Sequence, residues 1–201
     1  ALLGACAAAA LGVLAKGLIG FVLPAMVIGA WLLLRRRWRT LPSLLWPPGP
    51  ALFLAIAAPW FVAMQARFPS FLDYFFVVQH FKRFAAGGFN NVQPFWFYPA
   101  VLLLFTLPWL PWLKPQFARG RLGESPRADL RLLMWAWLAI VVGFFSLPAS
   151  KLLGYVLPAV PPLAVLLADD LESWRRHRPR SGRLWVASAG LTVALSLAAV
   201  G

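Results

Sequence analysis

Apolar runs long enough to cross a lipid bilayer dominate this sequence. A transmembrane helix needs about 20 mostly apolar residues. Seven runs approach that length, at residues 2–15, 18–34, 51–65, 95–113, 132–147, 155–168 and 184–200. Only 12% of the residues are charged, whereas soluble domains carry about a quarter. The pattern predicts an all-α polytopic membrane protein, in which about seven transmembrane helices form one domain over residues 1–201.

The distribution of basic residues predicts which loops face the cytoplasm. The net charge is +13, and alternate connectors at residues 35–50, 114–131 and 169–183 hold fourteen of the nineteen lysines and arginines. Basic loops remain on the cytoplasmic side of a membrane. Topology and contact with lipid headgroups therefore explain most of the charge, and we expect no nucleic-acid partner. The single Cys6 leaves no internal disulfide or cysteine-based metal site.

Five basic residues are left for the opposite, outer face. They are Lys16, Arg67, Lys82, Arg83 and Lys151, and Asp73 is the one acid on that side. The topology rule disfavours cations there, so their excess needs another reason. An anionic ligand at the outer face is one such reason.

The outer-face loop at residues 67–95 contains a predicted amphipathic helix that lies along the membrane surface at residues 70–83. Ser70 is its predicted N-cap, and Gly87 and Gly88 follow its end. Its aromatic and apolar residues recur at three- and four-residue steps: Phe71, Tyr74, Phe75, Val78, Phe81 and Phe84. The alternative is that this helix has only a structural role at the membrane surface.

A phosphate group suits the cations of the outer face. Arg83 is the first candidate, because the planar guanidinium can bind two phosphate oxygens together. Lys16 adds a point charge, and Tyr155 offers a hydroxyl group. Four more residues are candidates for support of the same site: Lys82, Lys151, Asp73 and His80.

The histidine and the acid leave alternatives open. His80 suits a general base, a metal ligand or a hydrogen-bonded helix residue. Asp73 suits acid–base chemistry, but it stands without a second carboxylate. The chain contains no Walker A sequence, dinucleotide glycine pattern, Ser-His-Asp set or HExxH. No cofactor is predicted, and a divalent metal at His80 stays an alternative.

Several motifs in order resemble the lipid A 4-amino-4-deoxy-L-arabinose transferases of the protein mannosyltransferase superfamily. They are LAKGLIGFVLP at residues 14–24, Pro59-Trp60, FPSFLDYFFVVQHFKRF at 68–84, QPFWFYPAVLL followed by PWL at 93–110, and SLPASKLLGYVLPAVPPLAVLLA at 146–168. The resemblance implies the C-terminal part of a GT-C membrane domain, with juxtamembrane helices on the periplasmic side of a bacterial inner membrane.

The same resemblance implies transfer of a sugar from a polyprenyl (undecaprenyl) phosphate carrier to a lipid A-like or other envelope acceptor. By motif position, Arg83 and Tyr155 match residues that hold the carrier phosphate, and Lys16 matches a lysine of the same cavity. The family has a Glu-His pair where this chain has Gln79-His80, which disfavours a metal site. The Leu152-Leu153-Gly154 run also departs from the family pattern, and together the changes suggest a different sugar or acceptor.

We expect the chain to be an interior piece of a longer protein. It begins with Ala1 inside an apolar run, and the first periplasmic loop, where the family has its catalytic aspartate, has no counterpart here. The fragment alone should therefore be inactive. Two alternatives to a transferase stay open. One is a transporter or flippase for an anionic lipid or sugar, whose discriminating features are an inverted repeat and broken helices at the bilayer midplane. The other is a non-catalytic membrane scaffold. A scaffold predicts that Lys16, Arg83 and Tyr155 do not converge.

Overall fold

The chain is helical throughout the part that the structure describes. The structure is a computed structural model, and it describes residues 1–82, 91–107, 109, 125–177, 186–192 and 194. No strand forms within those ranges, and an isolated antiparallel bridge joins Val92 to Ser150. The all-helical fold that the sequence predicts is confirmed.

Three helical segments are long and apolar enough to cross a membrane: Pro48–Arg67, Pro126–Ser146 and Leu153–Ser173. Three shorter apolar helices are Leu2–Lys16, Ile19–Leu34 and Phe97–Thr106. Many large apolar side chains on these helices are exposed, and Leu33 and Val62 each expose 67% of their surface. Extensive apolar surface is typical of a face that contacts lipid. These observations support the membrane class, while the number of seven transmembrane helices stays a prediction.

The chain divides into two compact units, and each is described by itself. The first unit holds Ala1–Val92 and Pro148–Ser150, and the second holds Gln93–Leu147 and Lys151–Gly201. The helices of the first unit are α1 (Leu2–Lys16), α2 (Ile19–Leu34), α3 (Leu41–Leu44), α4 (Pro48–Arg67) and α5 (Phe71–Asp73). Helix α1 packs against both α2 and α4.

Glycines allow α1 and α2 to pack closely. Gly17 follows the last residue of α1 as its C-cap, and its φ of 79° is a positive value that glycine adopts without strain. Its N–H donates to the Val13 carbonyl at 2.8 Å. In α2, Gly20 then lies against Gly12 of α1. A Cβ atom on Gly12 would lie 3.2 Å from the Gly20 carbonyl oxygen, and a Cβ atom on Gly20 would overlap the Gly12 carbonyl.

A polar side chain ties the end of α4 to the start of α5. Gln65 Nε2 donates to the Pro69 carbonyl at 2.5 Å, and Gln65 Oε1 accepts from the Leu72 N–H at 2.9 Å. Ser70 occupies the predicted N-cap position, but its side chain makes no capping hydrogen bond. Gln65 therefore supplies the acceptor that the sequence assigns to Ser70, because an unpaired N–H at a helix start needs a partner from some source.

Aromatic rings fill the inside of this corner, with Phe61 of α4 at the centre. Its ring centroid lies 6.3 Å from that of Phe71, 5.2 Å from Phe75 and 6.1 Å from Phe76. Tyr74, which belongs to the predicted apolar stripe, is 52% exposed. A π-helix over Tyr74–Lys82 follows α5 directly, and its i→i+5 bonding makes the turn wider than in an α-helix. Two consecutive residues of this π-helix, Phe75 and Phe76, both contact Phe61.

The second unit contains α6 (Phe97–Thr106), α7 (Pro126–Ser146), a 3₁₀ segment (Leu153–Ala159) and α8 (Val160–His177). Helix α7 packs against α8, and the 3₁₀ segment contacts all three helices. Helix α7 begins before the predicted residue 132, because Ser125 caps it and Pro126 occupies its first position. The Ser125 hydroxyl oxygen accepts from the Ala128 N–H at 3.2 Å. Residues 186–192 are also helical, within the seventh predicted run.

Charged side chains join the first turns of α7 to the middle of α8. Asp169 Oδ1 lies 2.6 Å from Arg127 Nη2, and Asp170 Oδ1 lies 2.9 Å from Arg131 Nη1. Arg131 also pairs with Asp169. Asp170 exposes only 1% of its surface. These pairs explain why α8 continues to His177, past the predicted end of the sixth apolar run at residue 168, since both acids have partners on α7.

Candidate functional site

Tyr155 lies in the second unit on the 3₁₀ segment between α7 and α8. Its backbone N–H donates to the Leu152 carbonyl at 3.0 Å. Its ring stacks on Phe145 at the end of α7, with ring centroids 5.3 Å apart and planes 23° from parallel. The residue is half-buried, so one side of the ring is fixed by packing while part of the side chain reaches the surface.

Tyr98 is a residue of this region that the sequence reasoning missed. It lies in the first turn of α6 and is fully buried, with 0% of its surface exposed. Its hydroxyl donates to the Leu152 carbonyl at 2.9 Å, and its ring meets Phe145 edge to face at 6.4 Å. A buried tyrosine hydroxyl needs an acceptor. The sequence offered one signal, a tyrosine beside a span, and such residues usually indicate the membrane interface.

Lys151 is a buried cation, with 4% of its surface exposed. Its Nζ donates to the Gln93 carbonyl at 2.8 Å. Burial of an ammonium group is costly unless the group is paired and hydrogen-bonded, and the Gln93 carbonyl supplies one of the hydrogen bonds here. The contact joins the segment before the 3₁₀ segment to the segment before α6. A role for Lys151 in support of a ligand site stays a prediction.

Lys16 and Asp73 belong to the first unit. Lys16 is the last residue of α1 and is exposed. A cation in the last turn of a helix interacts favourably with the helix dipole. Asp73 is exposed at the end of α5, where the π-helix begins. The convergence of Lys16 with Tyr155 stays a prediction, because the two residues lie in different units.

The remaining candidates fall at the border of the described chain. The backbone of His80 and Lys82 lies in the π-helix, while their side chains lie outside the described part. Arg83, Gly87 and Gly88 lie outside the described residues altogether. Among the residues that the structure does describe, no group of three or more His, Cys, Asp or Glu side chains is arranged to hold a metal ion.

Known proteins match this chain over almost its whole length, although no protein-family model matches it. The undecaprenyl phosphate-alpha-4-amino-4-deoxy-L-arabinose arabinosyl transferase of Aeromonas salmonicida is 36% identical over 199 residues, which is 96% of this chain and 36% of that protein. The corresponding transferase 1 of Sodalis glossinidius is 35% identical over 202 residues, which is 96% of this chain and 34% of that protein.

Solved structures agree with these relatives. The crystal structure of ArnT from Cupriavidus metallidurans bound to undecaprenyl phosphate superposes with a TM-score of 0.80 at 28% identity, covering 96% of this chain and 34% of that one. The chain is homologous to about one third of the length of the arabinosyl transferases. The resemblance read from the motifs is thereby confirmed. The ArnT structure in the apo state gives a TM-score of 0.76. The chain spans about a third of the length of these transferases.

Proposed function

We propose that the intact protein is a membrane glycosyltransferase that uses a polyprenyl phosphate-linked sugar as its donor. The observation that carries the proposal is the match of 96% of this chain to a structure of ArnT bound to undecaprenyl phosphate. The names of the sequence relatives point to the same carrier and to an arabinosyl group. The acceptor in our proposal is a lipid A-like or other envelope molecule.

The proposed setting is the bacterial inner membrane, with the active face in the periplasm. The basic connectors support this orientation, because every second connector between the apolar runs faces the same side of the membrane, and these connectors hold fourteen of the nineteen lysines and arginines. Seven transmembrane helices and a surface helix after α4 complete the proposed topology. The π-helix and aromatic corner at Tyr74–Lys82 support the surface helix, since they pack beside the end of α4.

In the proposed reaction, an acceptor hydroxyl oxygen attacks the anomeric carbon of the donor sugar. The bond from that carbon to the phosphate oxygen breaks, and the carrier phosphate leaves with the electron pair. The acceptor proton goes to a carboxylate that we place outside residues 1–201. Fixed cations stabilise the charge that develops on the leaving phosphate.

Arg83, Lys16 and Tyr155 are the proposed donors to that phosphate. The guanidinium binds two oxygens at once, the ammonium adds a point charge, and the phenol donates one hydrogen bond. Lys82, Lys151, Asp73 and His80 are proposed support residues. The fixed ring of Tyr155 supports its assignment, because a hydroxyl on a packed ring can be held in one place without ordering on binding.

Replacing Arg83 by alanine in the full-length protein tests the proposal. Loss of a charged hydrogen-bond partner costs about 1.5 to 3 kcal/mol, so sugar transfer should fall about tenfold to a hundredfold. Binding of undecaprenyl phosphate should weaken in parallel. The matched control is Arg67→Ala, which removes the same charge at the exposed end of α4. Unchanged transfer by Arg83→Ala, or an equal loss in both variants, would remove Arg83 from the phosphate site.

A further inference from the structure

We propose that Tyr98 is a positioning residue for Tyr155, an inference that rests on the proposed contact between Tyr155 and the carrier phosphate. Tyr98 lies on α6, while Tyr155 lies on the 3₁₀ segment before α8. Two separate routes connect them, one through the backbone and one through a third aromatic ring. Both routes lie within the second unit.

The backbone route passes through one carbonyl oxygen. The Leu152 carbonyl accepts from the Tyr98 hydroxyl at 2.9 Å and from the Tyr155 N–H at 3.0 Å. A carbonyl oxygen has two lone pairs, so both bonds form together. Leu152 is extended, with φ −111° and ψ 140°, and it starts the 3₁₀ segment. The Tyr98 hydroxyl therefore fixes the peptide group from which the turn carrying Tyr155 begins.

The ring route passes through Phe145. The Tyr98 ring meets Phe145 edge to face at 6.4 Å, with planes 68° apart. Phe145 in turn stacks on Tyr155 at 5.3 Å. Edge-to-face and offset stacked pairs are favourable arrangements of aromatic rings. Tyr98 thus limits the position of the Tyr155 ring as well as that of its backbone.

A second hydrogen bond stabilises the segment that Tyr98 holds. Lys151 Nζ donates to the Gln93 carbonyl at 2.8 Å, four residues before α6 begins. Two consecutive residues of this segment are therefore hydrogen-bonded: Lys151 donates from its own side chain, and the Leu152 carbonyl accepts from the side chain of Tyr98. Tyr98 itself is fully buried, with 0% of its surface exposed. A fully buried side chain does not reach a ligand itself, so the proposed effect of Tyr98 on the phosphate passes through the position of Tyr155.

The decisive experiment is a double-mutant cycle with Tyr98→Phe and Tyr155→Phe in the full-length protein. Both changes keep the ring and remove one hydroxyl. We measure KM and kcat for a polyprenyl phosphate-linked sugar donor, together with the thermal unfolding midpoint. Each single variant should raise KM or lower kcat by about threefold to tenfold, the range expected for one neutral hydrogen bond. The double variant should lose no more than Tyr155→Phe alone, because Tyr98 then has no hydroxyl to position.

The other outcomes distinguish the positioning role of Tyr98 from the proposed phosphate contact of Tyr155. Equal losses from Tyr98→Phe in both backgrounds would overturn the positioning role and leave the phosphate contact of Tyr155 standing. An effect of Tyr155→Phe with none from Tyr98→Phe would do the same. No effect of Tyr155→Phe would overturn both, and it would show that the proposed phosphate contact is what failed.

A second variant guards against loss of the fold in Tyr98→Phe. Phe145→Leu keeps an apolar side chain and the Leu152 hydrogen bonds but removes the ring between the two tyrosines. Its transfer activity should fall by a factor similar to that of Tyr98→Phe, again with no further loss in the Tyr155→Phe background. A loss that persists unchanged in that background would overturn the ring route.

Discussion

Replacing Gly20 by alanine should force α1 and α2 apart. The new Cβ atom would overlap the Gly12 carbonyl and lie 2.9 Å from the Val13 nitrogen, whereas ordinary van der Waals contact begins near 3.4 Å. All of these neighbouring atoms belong to the backbone, so no side chain can rotate away. The helices would have to separate by roughly 1 Å, since protein interiors are close-packed and hold little spare volume.

The expected cost follows from two opposing effects. Overpacking of this kind destabilises by about 1 to 3 kcal/mol, while alanine stabilises a helix interior by about 1 kcal/mol relative to glycine. Gly29→Ala in the interior of the same helix is the control, because a Cβ atom there meets nothing within 4 Å beyond the helix's own neighbouring backbone. Gly20 lies in the first turn of α2 and gains less from alanine, so the two variants should differ in stability by at least the overpacking cost of about 1 to 3 kcal/mol.

The difference is measured by unfolding the purified full-length protein in detergent, either with heat or with denaturant. Gly20→Ala should have the lower midpoint, and Gly29→Ala should equal or exceed the unchanged protein. If Gly20→Ala is as stable as Gly29→Ala, the close glycine contact does not determine the packing of this helix pair.

Two further predictions concern charges and caps. Asp170→Asn should destabilise by about 1.5 to 3 kcal/mol, because it removes a buried charged partner of Arg131, which keeps its pair with Asp169. Glu172→Gln removes an exposed pair on the same helix and should cost less than about 1 kcal/mol. Equal midpoints of unfolding for these two variants would contradict the role given to burial. Ser125→Ala should cost about 1 kcal/mol of folding stability, because it loses the N-cap hydrogen bond of α7. Ser70→Ala has no side-chain cap bond to lose and should change the unfolding midpoint little. A larger drop in midpoint for Ser70→Ala than for Ser125→Ala would contradict this assignment of the caps.

The sequence predicted the helices well because each apolar run carries its own signal of length and hydropathy. Their ends were less predictable, since the ends depend on partners elsewhere in the chain. Helix α8 continues to His177 because Asp169 and Asp170, which the sequence places in a charged connector, form ion pairs with arginines of α7. Helix α7 starts at Pro126 because of a local cap that hydropathy does not register.

The candidate site was predictable only where a residue type itself indicates chemistry. Tyr155 and Lys151 stood out as polar groups in an apolar context, whereas Tyr98 did not, because its importance comes from contacts with residues about fifty positions away. The aromatic stripe shows a related dependence on structure that spacing does not register. Spacing rules assume an α-helix, whereas Tyr74–Lys82 is a π-helix in which Phe76, outside the predicted stripe, contacts Phe61.

The two hydrogen bonds that Gln65 makes beyond the end of α4 connect the orientation of α5 to the thickness of the bilayer. Helix α4 has 20 residues, about 30 Å of helix, which matches the hydrocarbon thickness of a typical membrane. A thinner or thicker bilayer changes the tilt of such a helix. Gln65 bonds to both Pro69 and Leu72, and Phe61 packs on Phe71. Because these contacts join α4 to α5, a tilt of α4 would move α5 with it. Lipid composition would then adjust the angle of the following helix without any ligand.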